Sequence, residues 1–509
     1  MTTSTLIILV VYVALLALLS IVSTHRFILS LLARRYRVMP PAPPTEWPKV
    51  VVQLPLYNER YVAQRIIDAA SKIDYPQDKL EIQVLDDSTD ETVDIVKARV
   101  DEWKARGTRI EHVRRGSREG FKAGALAAGL KQTDAELVAI FDADFVPPPH
   151  FLKALVGHFQ EDDVGMVQAR WEHLNRLDSK LTDAQAMLLD GHFVNEHGGR
   201  VVTQSFFNFN GTAGIWRIRA IEEAGGWSGD TLTEDLDLSY RAQLAGWRFV
   251  YRPDVTVPAE LPNNVNAFKT QQHRWAKGSI ETARKLLPQI WRSKLSLRHK
   301  VEATFHLGGN IAYPLVLVLA LIMPFGLAAR YAYKSTPLSI LDGFMLLGST
   351  GALALFYFLA ERYAGRPQGM LTRLPVCLAV GVGLAVNNSK AVLEALFKRK
   401  SAFARTPKWG GRSAIDASYL LKGQGQALVE LVLGIYLAVA TVFAAVAWRF
   451  VALPFMLLFT AGFFILAWGS LRPSKGTPVS AGALGETLTA SPAAPTIRKP
   501  SGAAAENHG

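Results

Sequence analysis

The sequence contains very little cysteine: Cys377 is the single cysteine among 509 residues, and it lies in an apolar run. An intrachain disulfide is therefore excluded, which fits a protein whose main folded part faces a reducing compartment. The sequence also lacks zinc-finger spacing and RNA-binding signatures, so its formal net charge of +12 does not indicate nucleic acid as a partner. Many basic residues instead flank apolar runs, which is typical of the cytoplasmic face of a membrane.

Charged residues are scarce at both ends of the chain, whereas residues 44–300 have the charge density of a soluble domain. Residues 6–22 are nearly all aliphatic, close to the roughly 20 residues that a membrane-spanning helix needs. Positive charge follows this run and does not precede it, which disfavours a cleaved signal peptide. We therefore predict an uncleaved anchor at residues 1–25 with its N-terminus outside, followed by a basic, Pro-rich linker at 26–48.

Between residues 49 and 285, short runs rich in Val, Ile and Leu alternate with helical patterns. The apolar runs are at 50–54, 82–85 and 137–141, and the helical stretches include 61–72 and 89–106. This alternation predicts a parallel α/β sheet. Ligands bind outside the carboxyl ends of the strands in such sheets, and acidic residues follow two of these runs.

The remaining chain is predominantly apolar. Four long runs at about 303–328, 338–359, 426–447 and 450–468 predict four further spans, giving five in total within a membrane region at 303–470. Six spans stay open, because residues 374–397 are also apolar, but Asn387-Asn388-Ser389-Lys390 interrupts them and basic residues bracket them. We interpret that stretch as interfacial or re-entrant.

Two other segments have distinctive compositions. Residues 286–302 mix apolar and basic side chains, which predicts an amphipathic helix that either lies on the membrane surface or packs on the domain. Residues 471–509 are dominated by Ala, Gly, Ser, Thr and Pro, which predicts a disordered tail.

Asp142 and Asp144 follow the apolar run at 137–141. A nucleotide-diphosphate leaving group gains negative charge as its glycosidic bond breaks, and Mg²⁺ or Mn²⁺ held by carboxylates can stabilise that charge. A D-x-D sequence alone is weak evidence, since most acidic pairs in loops are solvated. The position of this one directly after a strand favours a metal site.

Asp86 and Asp87 end the earlier strand, where Asp87 could face a nucleotide. The alternative is a structural role, since the following Ser88 or Thr89 could cap a helix. Lys122, in the sequence Gly-Phe-Lys-Ala-Gly, is suited to a phosphate, although a solvated lysine in a turn explains it equally well.

Thr233-Glu234-Asp235 precedes a helical stretch at 236–245. An inverting sugar transfer needs a carboxylate to take the proton from the acceptor hydroxyl, and Asp235 is the candidate base. A structural interpretation also fits, with Thr233 as the N-cap and acidic residues in the first helical turn.

Gln271, Arg274 and Trp275 are spaced i, i+3 and i+4, which places them on one face of a helix. That face offers an amide, a guanidinium that can grip a diphosphate, and an indole on which a sugar ring can stack. Together with the upstream carboxylates, this spacing favours a binding face over a coincidental amphipathic pattern.

The sequence resembles the processive family-two glycosyltransferases. Its motifs D, D-x-D, T-E-D and Q-x-x-R-W occur in the same order as in the cellulose and hyaluronan synthases of that family. The closest resemblance is to the cellulose synthase-like A and C groups, which make mannan or glucomannan and the xyloglucan backbone; cellulose synthase itself is more distant. It covers roughly residues 51–278, and the matching runs are 52–59, 83–90, 120–126, 141–145, 168–171, 209–214 and 271–275.

The resemblance implies a GT-A, Rossmann-like α/β catalytic domain with an α-helical transmembrane bundle, inversion at the anomeric carbon, Mg²⁺ or Mn²⁺, and extrusion of the polymer through the membrane. Residues 403–408 resemble the gating loop of cellulose synthases, which predicts a cytosolic loop at 398–412. The resemblance, with Lys122 added from its own sequence context, defines the expected site. Asp235 and Glu234 are expected to act in catalysis, and Asp142 and Asp144 to bind the metal. The residues expected to bind the nucleotide sugar are Asp87, Lys122, Asp142, Gln271 and Arg274, and those expected to bind the acceptor are Asn210, Gly211, Thr212 and Trp275.

The chain departs from bacterial cellulose synthase in having fewer spans and no cyclic-dinucleotide-binding domain after them, so regulation of that kind is not expected. The expected protein is a multi-pass protein of the inner or plasma membrane with a cytosolic catalytic domain. Its partners are a nucleotide-sugar donor, a glycan acceptor and the bilayer, and the sequence does not reveal an accessory subunit.

Three functions remain open. The first is a processive synthase that transfers glucose from UDP-glucose or mannose from GDP-mannose to the non-reducing end of a β-1,4-linked glycan. The second is a single-transfer lipid glucosyltransferase acting on ceramide or diacylglycerol. The third, a transporter or receptor with a degenerate sugar-binding domain, is disfavoured because every expected carboxylate is present.

Overall fold

A seven-stranded sheet forms the centre of the catalytic part in the computed structural model, which describes residues 2–332, 341, 343–345, 347–399, 408, 410, 424–447 and 452–472. The strands are β1 (Val50–Leu56), β2 (Leu80–Asp86), β3 (Ile110–Val113), β4 (Leu137–Ile140), β5 (Val164–His173), β6 (Gly214–Arg217) and β7 (Arg248–Ala259). Their spatial order is β3-β2-β1-β4-β6-β5-β7.

The sheet is mixed, so the predicted parallel arrangement is confirmed for β3-β2-β1-β4 and for the β5–β7 pair but is wrong for β6. β3, β2, β1 and β4 run parallel, whereas β6 runs antiparallel to both β4 and β5. β6 begins at the carboxyl end of β4 and runs back alongside it, since Gly214 at the start of β6 pairs with Ile140 at the end of β4. This reversal places the loop at 209–213 beside the carboxyl end of β4.

Alternate strand residues face two hydrophobic cores. On β1, Val50, Val52 and Leu54 pack in one core, while Val51 packs in the other. Both faces are buried because helices cover them, which explains why the strands have continuous apolar sequences.

The helices, in chain order, begin with one that precedes the sheet. These are α1 (Thr3–Ala33), α2 (Ala63–Ser71), α3 (Thr92–Ala105), α4 (Phe121–Leu130), α5 (Phe151–Leu155), α6 (Lys180–Asp190), α7 (Gly198–Val202), α8 (Ile218–Glu223), α9 (Glu234–Leu244) and α10 (Val265–Arg292). A π-helical segment, Gly191–His197, joins α6 to α7 without a break. Neither Ser88 nor Thr89 caps α3, which begins three residues later at Thr92.

The helices after the catalytic part are longer and more apolar. They are α11 (Leu297–Gly308), α12 (Ala312–Ala332), α13 (Ala352–Tyr363), α14 (Met370–Gly383), α15 (Ala385–Leu396), α16 (Gln424–Val446) and α17 (Leu453–Leu471). α14 and α17 cross closely, since a Cβ on Gly383 would lie 2.4 Å from the carbonyl oxygen of Gly462. Small residues at such crossings allow membrane helices to pack tightly.

Within the described ranges, five helices are long and apolar enough to cross a membrane: Thr3–Ala33, Leu297–Arg330, Gly343–Tyr363, Gly425–Val446 and Leu453–Leu471. A sixth is reached if α14 and α15, which are bent by 40° relative to each other, count as one broken span. This bend falls within residues 374–397, the stretch for which the sequence predicts an interfacial or re-entrant segment.

Some element boundaries differ from the sequence-based expectations. α1 continues to Ala33, so the first eight residues of the expected linker at 26–48 are helical. Residues 286–302 do not form one amphipathic helix, because α10 ends at Arg292 and α11 begins at Leu297. The expected tail lies almost entirely outside the described residues.

Candidate active site

A cleft of about 220 Å³ lies at the carboxyl ends of β1, β2 and β4. Every site residue expected from the sequence except Thr212 lines it: Asp87, Lys122, Asp142, Asp144, Asn210, Gly211, Glu234, Asp235, Gln271, Arg274 and Trp275. The fold therefore gathers residues separated by as many as 188 positions (275 − 87) into one space.

Asp142 is fixed by contacts from two other elements. The Lys122 ammonium, near the start of α4, donates to Asp142 Oδ1 and also to the Gly211 carbonyl oxygen at 2.8 Å. Thr212 lies behind the cleft, where its Oγ1 accepts a hydrogen bond from the Asp142 N–H at 2.9 Å. Lys122 and Thr212 thus link the D-x-D motif to the loop at 209–213.

Asp144 is paired with a cation from far along the chain. Lys408 Nζ lies 2.5 Å from Asp144 Oδ2 and is buried. The backbone N–H of Gly410 donates to Glu260 Oε2 at 3.0 Å, so this part of the expected gating-like loop at 398–412 contacts the cleft wall. Apart from these two residues, only Lys398 and Arg399 of that loop are within the described residues.

The residues present fit a divalent cation that is shared with a ligand. Among the described residues, no three His, Cys, Asp or Glu side chains are grouped so as to hold a metal ion by themselves. Asp142 and Asp144 supply two carboxylates of the oxygen type that Mg²⁺ and Mn²⁺ prefer. A diphosphate and water would have to supply the other ligands.

Asp87 is held in a bidentate ion pair by Arg115, whose Nε and Nη2 lie 2.8 and 2.6 Å from the two carboxylate oxygens. The same guanidinium donates to the Phe121 carbonyl oxygen at 2.7 Å. Asp87 is therefore rigidly oriented at the cleft, as a residue that recognises one nucleotide group needs to be.

Asp235 lies in the first turn of α9, and its backbone neighbour Leu236 donates to its Oδ1 at 2.8 Å. Burial and the adjacent Glu234 carboxylate raise the pKa of Asp235 to about 7, although Lys122 and Arg274 oppose the shift. A carboxyl group with a pKa near neutrality is suited to proton transfer, because it can both accept and release a proton at the working pH.

The N-terminus of α9 packs directly against α10. A Cβ on Gly278 would lie 2.6 Å from Thr233 Oγ1, so only glycine permits this approach. Thr233 occupies the N-cap position, but its side chain does not make a capping hydrogen bond. Its hydroxyl lies instead 3.4 Å from that of Thr282 on α10, which links the T-E-D and Q-x-x-R-W motifs.

α10 carries Gln271, Arg274 and Trp275 to one wall of the cleft, as their spacing predicts. The Trp275 ring lies 6.4 Å from Trp171, which in turn packs edge-on against Phe145 at 5.1 Å. These rings form an aromatic wall of the kind on which sugar rings stack.

α10 also packs against the membrane-side helix α15. His273 Nε2 lies 3.0 Å from Glu394, and the Asn387 side chain donates to the Lys269 carbonyl oxygen at 2.8 Å. The polar interruption at 387–389 is therefore buried against the helix that carries Q-x-x-R-W.

Gly211 has a φ of +79°, and a Cβ there would lie 2.9 Å from Asp235 Oδ2. Gly211→Ala is therefore expected to lose about 1 kcal/mol of stability through backbone strain and to reduce activity strongly by displacing Asp235. Gly246→Ala is the matched control, because Gly246 has a φ of +100° but open space around it. Thermal unfolding and activity should separate the two variants; equal activity in both would contradict the proposed contact.

Nothing in the sequence predicts the contacts that two charged residues make at the site. Arg115 belongs to a basic run, which gives no sign of its pairing with Asp87. Lys408 is part of the gating-like sequence, but no pattern connects it to Asp144, which lies 264 positions away. Only knowledge of the fold reveals such long-range pairs.

Comparison with known proteins supports the fold and shows a likeness to glycosyltransferases. The family model "Glycosyltransferase like family 2" matches residues 48–278. Probable glucomannan 4-beta-mannosyltransferase 9 of Oryza sativa subsp. japonica is 40% identical over 328 residues, covering 61% of this chain and 62% of that protein. Glucomannan 4-beta-mannosyltransferase 2 of Arabidopsis thaliana is 46% identical over 255 residues, covering 49% of this chain and 48% of that protein.

The chain thus spans about half to three fifths of the length of these relatives. Among solved structures, a mannosyltransferase from Pyrobaculum calidifontis in complex with GDP-Man and Mn²⁺ matches with a TM-score of 0.52 and 21% identity, covering 77% of this chain and 100% of that one. This likeness confirms the GT-A type of fold. Residues 48–278 are therefore a domain of the family-two glycosyltransferase type, and the chain is similar to the glucomannan 4-beta-mannosyltransferases.

Proposed function

We propose that this chain is an inverting hexosyltransferase that adds mannose from GDP-mannose to the non-reducing end of a growing β-1,4-linked glycan. The observation that carries the proposal is the position of Asp235, a partly buried carboxyl with a raised pKa, in the same cleft as the D-x-D carboxylates and the Q-x-x-R-W helix. One cleft holds the proposed base, the groups proposed to bind the diphosphate and the surface on which a sugar ring can stack.

In the proposed reaction, Asp235 accepts the proton of the acceptor hydroxyl as that oxygen attacks C1 of the donor sugar. The C1–oxygen bond to the diphosphate breaks on the opposite side, so the nucleoside diphosphate leaves and the configuration at C1 inverts. Lys122 and Arg274 place positive charge beside the departing phosphates. Such charge stabilises the transition state more than the ground state.

A divalent cation would be held by Asp142 and Asp144 and would neutralise charge on the leaving diphosphate. Asp87, oriented by Arg115, is placed to accept a hydrogen bond from the nucleoside. Trp275 offers its ring to the acceptor sugar, and Asn210 and Gly211 line the neighbouring wall.

The choice of mannose draws on the relatives, which are named as mannosyltransferases at 40% and 46% identity. The structural neighbour solved with GDP-Man and Mn²⁺ is consistent with that choice. UDP-glucose is the other donor that the motifs allow.

A second cavity supports extension of the proposal to translocation of the product. It has a volume of about 740 Å³ and lies among the membrane-side helices, with Tyr12, Tyr313 and Phe459 in its wall. It extends from Ala312 to Arg330 along α12, which is roughly 27 Å at 1.5 Å per residue and comparable with the roughly 30 Å bilayer core.

The transmembrane cavity comes close to the active-site cleft. Leu188 lines the former and its neighbour Leu189 lines the latter, so α6 separates the two spaces. We infer that a growing glycan leaves the cleft past α6 and crosses the bilayer through this cavity, with the catalytic domain on the cytosolic side.

Incubating the purified protein in nanodiscs with radiolabelled GDP-mannose or UDP-glucose, and with Mn²⁺ or Mg²⁺, tests the proposal. The expected result is metal-dependent release of GDP and a product that lengthens with time. Mono-glycosylated lipid as the final product with either donor would favour the lipid glycosyltransferase instead. UDP-glucose as the preferred donor would overturn the choice of mannose.

A further inference from the structure

The π-helical segment Gly191–His197 brings two histidines to one side chain of the loop at 209–213, which we call the acceptor loop because it carries the expected acceptor residues Asn210, Gly211 and Thr212. His192 Nε2 lies 2.9 Å from Asn210 Nδ2, and His197 Nε2 lies 2.8 Å from Asn210 Oδ1. π-helical insertions cost helix stability and occur frequently at functional sites. The extra residue in this turn lets both rings reach the same amide.

The polarity of these hydrogen bonds follows from the amide. Asn210 Nδ2 can only donate, so His192 Nε2 accepts and the proton of His192 lies on Nδ1, which faces Glu196 at 3.2 Å. Asn210 Oδ1 can only accept, so His197 Nε2 donates. Burial lowers the pKa of His197 well below its usual value, which keeps that ring neutral.

Asn210 in turn determines where Gly211 lies. The Asn210 N–H donates to Gln168 at 3.0 Å, and the next carbonyl oxygen, that of Gly211, accepts from Lys122. Gly211 packs directly against the Asp235 carboxylate. A displaced Asn210 would therefore shift the surface that faces both the acceptor sugar and its base.

Glu196, which contacts His192 on the side away from Asn210, is itself held by residues outside the acceptor loop. Glu196, the partner of His192, is 3.2 Å from Arg26 on α1 and 3.3 Å from Arg200. Arg200 also pairs with Glu302 on α11 at 3.1 Å, and Glu302 accepts from His25 of α1 at 2.6 Å. α1 thus contacts the carboxylate that orients His192 directly, and α11 contacts it only through Arg200.

We propose that His192 and His197 are positioning residues that hold the Asn210 amide in one orientation and so place the acceptor sugar against Asp235. The inference rests on the proposed sugar transfer. Neither histidine contacts the reacting atoms. Loss of either one is expected to weaken the placement of the acceptor but not the binding of the donor.

The discriminating measurement is the partition between transfer to the acceptor and hydrolysis of the donor, followed with the full-length protein in nanodiscs, GDP-mannose and a β-1,4-linked manno-oligosaccharide. His197→Leu and His192→Leu are expected to lower the ratio of transfer to hydrolysis by about tenfold to 10²-fold, because a misplaced acceptor competes poorly with water. The KM for the donor should stay near that of the wild type.

His197→Gln should recover most of the ratio, since its amide can donate to Asn210 Oδ1. His158→Leu is the matched control: His158 is another buried histidine, bonded to Arg252 at 3.1 Å and absent from the cleft lining. It should leave the ratio unchanged even if it lowers stability. Should His197→Leu not fold, His192→Leu carries the test, because its side chain is partly exposed.

An unchanged ratio in the histidine variants, or an equal fall in transfer and hydrolysis, would overturn the inference while leaving the proposed function in place. A wild-type protein that consumes neither GDP-mannose nor UDP-glucose would overturn both.

Discussion

Replacing Asp235 by Asn is expected to lower the rate of sugar transfer by about 10²–10⁴-fold, the usual contribution of a general base. The amide is nearly the same size as the carboxylate but cannot take the proton of the acceptor hydroxyl. Because Asp142, Asp144 and Arg274 remain, the donor should still bind with nearly unchanged affinity. Initial rates of GDP release and calorimetric binding of GDP-mannose measure the two quantities.

The pH dependence provides an independent test of the same residue. The proposed base must be ionised, and the pKa of Asp235 is raised to about 7. The wild-type kcat/KM should therefore rise with pH through a limb near pH 7 and level off above it. Asp163→Asn, which removes a surface carboxylate paired with Arg248, is the control and should keep both the rate and this limb. Full activity in Asp235→Asn would remove the residue from the mechanism.

Asp144→Asn is expected to abolish metal-dependent activity, with a loss of about 10²-fold or more, because it removes one of the two D-x-D carboxylates that would hold the cation. With so few protein ligands, Mn²⁺ should bind weakly to the protein alone and tightly once GDP is present. Electron paramagnetic resonance titration of Mn²⁺ with and without GDP measures this difference.

Asp134→Asn is the control for that variant, since Asp134 is paired with Lys49 at the surface. It should bind Mn²⁺ as the wild type does. Tight Mn²⁺ binding without nucleotide, or unchanged Mn²⁺ affinity in Asp144→Asn, would exclude the D-x-D pair as the shared metal site.

Local patterns predict those parts of the site that depend on one element. The strands that precede Asp87 and Asp142 are recognisable because a buried parallel strand has a continuous apolar sequence that stops at the sheet edge. Gln271, Arg274 and Trp275 can be placed on one face because helical spacing is fixed at 3.6 residues per turn.

Contacts between distant segments could not be predicted in this way. The direction of β6 appears only in its antiparallel pairing with β4 and β5, and no periodicity in its four residues records that direction. The pairing of Lys408 with Asp144 joins residues 264 positions apart. The π-helical turn at Gly191–His197 also has no signature in hydrophobic spacing, since it differs from an α-helix by a single inserted residue.

The two adjacent aspartates at the end of β2 have different roles, which their sequence alone left open. Asp86 serves a structural role, accepting from the Ser88 N–H at 2.8 Å and pairing with His112 at 2.9 Å, while Asp87 lines the cleft. They differ because successive residues of a strand point to opposite sides.

The central claim is that this cleft builds a β-1,4-linked mannan. Its most direct test is digestion of the product made from radiolabelled GDP-mannose with an endo-β-1,4-mannanase, beside the same reaction with Asp235→Asn. We predict a polymer that the mannanase cuts completely to short oligosaccharides, and no polymer from the variant. A polymer that resists the mannanase, or one that Asp235→Asn still makes at the wild-type rate, would contradict the claim.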